Sequence, residues 1–256
     1  MTRQQRERWA PWLLLAAVIL LWEAVCRGFG ISEFIFPSPS RIATQLVEFR
    51  AVIAAHAWRT FWVTMVGFGL SIVVGTLLGF VVGSSRLAYA AMYPLMTGFN
   101  AVPKAAFVPI LVVWFGIGIG PAVLTAFLIS FFPITVNIAT GLATIEPELE
   151  DVLRVLGARR WDVLIKIGLP RSMPYFYASL KVAITLAFVG AVISESVASN
   201  VGIGNLMLQA QAQFQVPLIF AGLIALAVEG IAMYALMAWL EARMTGWAQR
   251  SGFAQA

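Results

Sequence analysis

Few side chains in this sequence are able to do covalent or coordination chemistry. His56 is the only histidine and Cys26 the only cysteine, so multi-ligand zinc sites, Cys/His nucleophile pairs and intrachain disulfides are excluded, and no catalytic or metal-ligating residue is assigned. No G-x-x-x-x-G-K-[ST] phosphate loop occurs, so an energy source based on that motif has to sit on another chain. What stands out is a handful of polar and charged residues set inside long apolar runs: Thr97, Asn100, Lys104, Glu195 and Glu229. An ion inside a bilayer costs about 2.5 to 3.5 kcal/mol on insertion scales, so these residues are candidates for a translocation pathway and each charge calls for a partner. Lys104 has Thr97 and Asn100 at helix-compatible spacing on one side. Two readings stand: Lys104 and Asn100 line a pathway and attract an anion, or Lys104 pairs with Glu229 or caps carbonyls freed by Pro103 and Pro109. Lys181 and Glu195 lie nearer the ends of their run, where snorkelling or a polar loop can satisfy them.

The elements that must position these residues are membrane spans. The chain has 256 residues, of which 61% are apolar and 11% charged, with a mean hydropathy of +0.88, far outside soluble usage. Six apolar segments appear, at about Trp9 to Val25, Trp58 to Val82, Met92 to Phe115, Ala122 to Thr144, Met173 to Ala198 and Val216 to Leu240. Each uses about 20 residues, which leaves no room for an ATPase domain beside them. From Ala105 to Ile145 no charged residue occurs; one helix of that length would be roughly 60 Å long, twice a bilayer core, so the chain folds back at Gly116-Ile-Gly-Ile-Gly-Pro121. Arg3, Arg6 and Arg8 followed by the run from Trp9 read as an uncleaved first span. The fold class expected is an all-α integral membrane protein, a single domain over residues 1–256.

Orientation follows from the basic residues. With both termini cytoplasmic, inside loops hold eleven Lys and Arg residues and outside loops only Arg27, Arg41, Arg50 and Arg59, as the positive-inside rule favours. The net charge of +5 is then a matter of topology and gives no reason to invoke nucleic acid. Ser38-Pro39 opens an amphipathic outer helix over 38–54, with Ile42, Leu46, Phe49 and Ile53 on one face. The polar, glutamine-rich 200–215 segment reads as a short outer loop or gate element. In the second span Gly67, Ser71, Gly75, Gly79 and Gly83 recur every four residues, a strip where two backbones approach closely.

The loop over 146–171 is the most informative. Pro147 can open a helix whose first turn holds Glu148, Glu150 and Asp151, favourable against the positive end of the helix dipole, and Gly157 can close it. Leu149, Val152, Leu153 and Leu156 form an apolar stripe; Trp161, Leu164, Ile165 and Ile167 or Leu169 form a second, with Pro170 ending that helix. Such stripes need cover from the bundle, the lipid surface or a partner's groove, and periodicity alone does not choose among them.

Asp151-Val152-Leu153, Gly157 and Ile167-Gly168-Leu169-Pro170 are spaced as in the cytoplasmic signature of ABC importer permeases, Glu-Ala-Ala-x3-Gly-x9-Ile-x-Leu-Pro, and the loop resembles it. Asp151 stands where Glu is usual, and Val152 and Leu153 replace two alanines. Pro94, Ala101-Val102-Pro103-Lys104, Pro109 and Trp114-Phe115-Gly116-Ile-Gly resemble the third span of the branch serving alkanesulfonates, taurine and nitrate. So do Phe36-Pro37-Ser38-Pro39-Ser40, Gly157-Ala158-x-x-Trp161, Leu169-Pro170-x-x-x-Pro174, Glu195 and Gly202-Ile203-Gly204. The resemblance covers roughly residues 35 to 240. It implies a type I permease fold in the bacterial inner membrane, with Asp151, Gly157, Ala158, Trp161, Ile167, Leu169 and Pro170 coupling to an ATPase subunit. It implies two ATPase copies carrying ATP and Mg, a second permease forming a homodimer, and a periplasmic or extracellular substrate-binding protein. The chain itself is expected to bind no cofactor and catalyse no covalent step. The substrate implied is a small anion such as a sulfonate, taurine or nitrate; relatives also carry aromatic carboxylates and thiamine-precursor pyrimidines. An ion-coupled secondary transporter is the rival, but the inverted repeat and coupling-ion ligands it needs are not found.

Overall fold

The computed structural model describes residues 3–143, 152, 153 and 155–245, and every regular element among them is helical. In chain order these are α1 (Arg3–Gly28), α2 (Pro39–Glu48), α3 (Arg50–Gly83), α4 (Arg86–Ala101), a 3-10 turn (Lys104–Phe107), α5 (Val108–Phe115), α6 (Ile119–Ala143), α7 (Arg160–Val163), a π-helical turn (Leu164–Gly168), α8 (Leu169–Ala198), α9 (Ile203–Ala212) and α10 (Val216–Met244). Five stretches are long and apolar enough to cross a membrane, and α4 with Lys104–Phe115 makes a sixth as a pair bent by 74°.

The small-residue strip on α3 sets the centre. A Cβ added at Gly67 would lie 2.6 Å from Ala126 Cβ, at Gly79 2.8 Å from Ile138 Cβ and at Gly83 2.8 Å from Leu142 Cβ. Between them Ser71 and Ser130 share a 2.6 Å hydrogen bond. Thus α3 and α6 touch backbone to backbone, which is how helices associate where lipid removes the hydrophobic drive. On α8, Ala183, Ala187, Gly190 and Ala191 repeat the device, and a Cβ at Gly190 would meet Ala126 Cα at 3.0 Å. Substituting Gly79→Leu should therefore cost about 1–3 kcal/mol through overpacking. Membrane abundance and detergent melting temperature should both fall, whereas Gly69→Leu, with open space around its Cβ, should leave both unchanged.

A second cluster closes the other end: Ile42 on α2, Ile53 on α3, Leu206 and Ala210 on α9, and Leu218 and Ala221 on α10. Trp22 stacks on Phe36 at 5.0 Å beside it. Before this junction α1 is exposed from Trp9 to Leu21.

Four expectations are corrected. The third span is not one helix over Met92 to Phe115: Val102 is extended (φ −69, ψ 130) because the proline after it disfavours helical backbone, and the ladder stops at Ala101. The amphipathic helix of 38–54 ends at Glu48; Phe49 is the joint, and Ile53 belongs to α3, which starts at Arg50 rather than Trp58. The 200–215 segment is helical over Ile203–Ala212, because Leu206 and Ala210 pack into the second cluster and its first turn is capped from α8. Pro170 does not end the second loop helix. The chain passes from α7 through the π turn into α8 with Pro170 in the first turn, where a missing N–H is harmless.

Candidate functional site

At the loop, the hydrogen bonds define a tight turn. Leu156 N–H donates to Val152 O at 3.2 Å and Ala158 N–H to Leu153 O at 3.0 Å, while Gly157 adopts φ +85. A 6→1 bond closed through a left-handed glycine is the Schellman ending of a helix. Arg159 then caps α7: its N–H donates to Asp162 Oδ2 at 3.0 Å, and its carbonyl accepts from Asp162 N at 2.9 Å and Val163 N at 3.2 Å. Asp162 thus plays the reach-back part of a capping box. The Arg159 N–H, followed by the Lys166 ammonium 3.2 Å away, holds this carboxyl below the usual aspartate range.

Val163 and Gly168 are buried and tie this segment to the bundle. Val155 and Leu156, by contrast, are 88% and 76% exposed, and Val152 and Ile165 are exposed with them. The protomer therefore does not itself cover Val152, Leu156 and Ile165 of the apolar stripes. Of the residues singled out for this loop, Gly157 and Ala158 form the turn, and Leu169 and Pro170 begin α8. Trp161 and Ile167 have their backbones in α7 and the π turn; Asp151 lies outside the described residues. Asp162 and Val155 were not singled out: the cap lacks the serine or threonine that usually announces a capping box.

The intramembrane candidates separate into three places. At the broken span, Lys104 Nζ donates to Asn100 O at 3.0 Å and to Asn100 Oδ1 at 2.8 Å. Thr97 Oγ1 donates to Tyr93 O, 2.9 Å away on its own helix. Lys104 thus caps a carbonyl freed by the proline break and makes no ion pair with Glu229. Both oxygens of Glu229 are buried without a hydrogen-bond partner among the described residues, beside a cavity of about 170 Å³ lined by Phe61, Met65, Met233 and Met237. Lys181 pairs with Glu241 of α10 at 2.5 Å.

Glu195 occupies the third place. It is 1% exposed, and its Oε2 accepts from Thr60 Oγ1 at 2.9 Å and from Gly204 N at 3.2 Å. Thr60 Oγ1 in turn accepts from Ile203 N at 2.9 Å, and His56 Nδ1 lies 2.8 Å from Gly202 O. Gly202, at φ +100, lets the backbone pass over the carboxyl: a Cβ there would sit 2.1 Å from Glu195 Cδ. The carboxyl therefore caps the N-terminal end of α9 and joins α3, α8 and α9. Thr60 and His56 were beyond sequence reasoning, because their partners lie 135 and 146 residues away.

Residues 71–246 match the family described as the binding-protein-dependent transport system inner membrane component. The chain belongs to this family. It is similar to the riboflavin transport system permease of Chloroflexus aurantiacus, at 32% identity over 95% of this chain and 92% of the relative. It is similar also to the formylaminopyrimidine transport permease of Halalkalibacterium halodurans, at 30% over 94% and 96%. The putative aliphatic sulfonates transport permease of Bacillus subtilis is 27% identical over 95% and 90%. In fold it matches the inward-facing MetNI methionine ABC transporter with a TM-score of 0.65 at 17% identity, over 76% of this chain and 96% of that one. It is thus a membrane-embedded ABC importer permease of the type I fold.

Proposed function

We propose that this permease works as a pair of identical copies with two ATPase subunits, which dock on the 146–171 loop and bind the ATP and Mg, and with an extracytoplasmic binding protein that delivers the solute. Both termini face the cytoplasm, and the chain itself performs no covalent chemistry and holds no cofactor. Asp151, Gly157, Ala158, Trp161, Ile167, Leu169 and Pro170 are the coupling residues. The observation that carries this reading is the pair of bare apolar side chains, Val155 and Leu156, immediately before a turn fixed by Gly157. A short helix presenting apolar anchors is the form in which a groove-bearing partner is engaged. The solute is a small anion of the sulfonate, taurine or nitrate kind. Similarity to permeases for riboflavin and formylaminopyrimidine favours a second reading, a heteroaromatic solute carried by the same mechanism.

Val155→Cys tests the docking. Cross-linking in native membranes should trap the ATPase subunit on this cysteine, with the native Cys26 buried and silent. A membrane-impermeant maleimide should label it only after the cytosolic face is opened. Labelling in intact cells would reverse the topology and remove the docking role.

A further inference from the structure

The break in the third span leaves a cation without a counter-charge. The helical ladder of α4 stops before Val102-Pro103, and Lys104 lies back on the last turn of α4 with two of its three N–H groups on Asn100 O and Asn100 Oδ1. Both acceptors are neutral. Lys104 is only 8% exposed, and among the described residues no carboxylate pairs with it. Glu195 is committed to α9, Glu241 to Lys181, and Glu229 sits in its own cavity. A desolvated ammonium facing only neutral groups is expensive to hold, and an anion is the group that relieves it.

The same pair supplies more than charge. Asn100 turns its carbonyl oxygen toward Lys104, which directs its amide NH2 elsewhere; Asn100 is exposed, and that NH2 has no acceptor among the described residues. One charged donor, whose Nζ also lies 5.8 Å from the Phe99 ring centroid, and one neutral donor therefore fall within a single turn of the chain, each with a hydrogen not given to a protein acceptor. The carbonyl end of α4 alone would repel an anion, but the ammonium lying over it reverses the local sign. Thr97 adds nothing, since its hydroxyl is spent on Tyr93 O.

We infer that Lys104 Nζ and Asn100 Nδ2 form an oxyanion site inside the membrane, each holding one oxygen of the head group of a sulfonate, nitrate or carboxylate solute. The site rests on the importer reading above and gives it a place in the span where the solute is held between the two faces. Two separated donors select a group with two acceptor atoms over a spherical ion.

The test is equilibrium binding of ³⁵S-methanesulfonate to the full-length permease in nanodiscs of zwitterionic lipid. Saturable binding near one per chain is expected, displaced by nitrate and acetate and only weakly by chloride. Loss of a charge-assisted hydrogen bond should weaken it about tenfold or more in Lys104→Gln, and Asn100→Leu should weaken it less, while Lys104→Arg retains it. No saturable binding to the wild type overturns the site, as does wild-type affinity in both Lys104→Gln and Asn100→Leu. If Lys104→Gln does not fold by its melting curve, Asn100→Leu decides alone. Binding abolished by anionic lipid and not restored by more methanesulfonate assigns the donors to a lipid headgroup and also overturns it. Recovery of the ATPase with the tagged permease is scored separately. Its failure ends the importer reading and leaves the binding result standing; recovery without methanesulfonate binding retires this site alone.

Discussion

Replacing Gly157 with aspartate is expected to lower ATP-dependent uptake by at least about tenfold while the permease remains in the membrane at near-normal abundance. Two costs combine at this residue. Its φ of +85 strains most L side chains by roughly 1–2 kcal/mol, and the Schellman bond from Ala158 N–H to Leu153 O holds the backbone in that form. Yet a Cβ at 157 meets nothing within 4 Å, so the protomer has room for the side chain. The damage therefore falls on whatever covers Val155 and Leu156. Gly157→Asn separates strain from bulk, because asparagine tolerates left-handed backbone: it should keep the turn and still obstruct docking. Initial uptake rates and ATPase recovery measure both variants. Full uptake in a stably expressed Gly157→Asp protein would falsify the coupling role.

Gly202→Ala should be the most destabilising single change in the half of the molecule that holds α9. The added methyl falls on the Glu195 carboxyl, 2.1 Å from Cδ and 2.3 Å from both oxygens, at a φ of +100. To admit it, Glu195 must leave Thr60 Oγ1 and Gly204 N, stranding buried polar groups that cost about 1–3 kcal/mol each, on top of the backbone strain. A loss of about 3 kcal/mol or more follows. Glu195→Gln, which keeps an acceptor oxygen for both donors, should cost only about 1 kcal/mol. Detergent melting curves and membrane abundance rank the two. A wild-type melting temperature for Gly202→Ala would mean that α9 is not held by this carboxyl.

The spans were legible in the sequence because bilayer thickness dictates their length, and the α3 strip because a four-residue period is local. The interruption at Val102-Pro103 was half legible. The proline was plain, but a proline inside an apolar run is often absorbed by a membrane helix, and only packing against α6 and α8 settles a bend. Residues 203–212 misled because composition describes solvent exposure, whereas Leu206 and Ala210 are covered by Ile42 from a distant part of the chain and by Leu218 of the following helix. Glu195 and Gly202-Ile203-Gly204 were both noticed, but that the glycines exist to let the backbone lie on that carboxyl could not be read from spacing. The loop turn was legible at Gly157 and not at Asp162, whose partner is a main-chain N–H rather than a motif.

From Pro174 to Ala198 the fifth span contains no further proline, a helical run of about 37 Å. At its N-terminal end it continues without a linker from the turn around Gly157, and toward its C-terminal end it grips α9 through Glu195. Such a rod would serve as a crankshaft: a twist imposed at the Gly157 end would be delivered to α9 at the other, gearing the two ends together through a single helix.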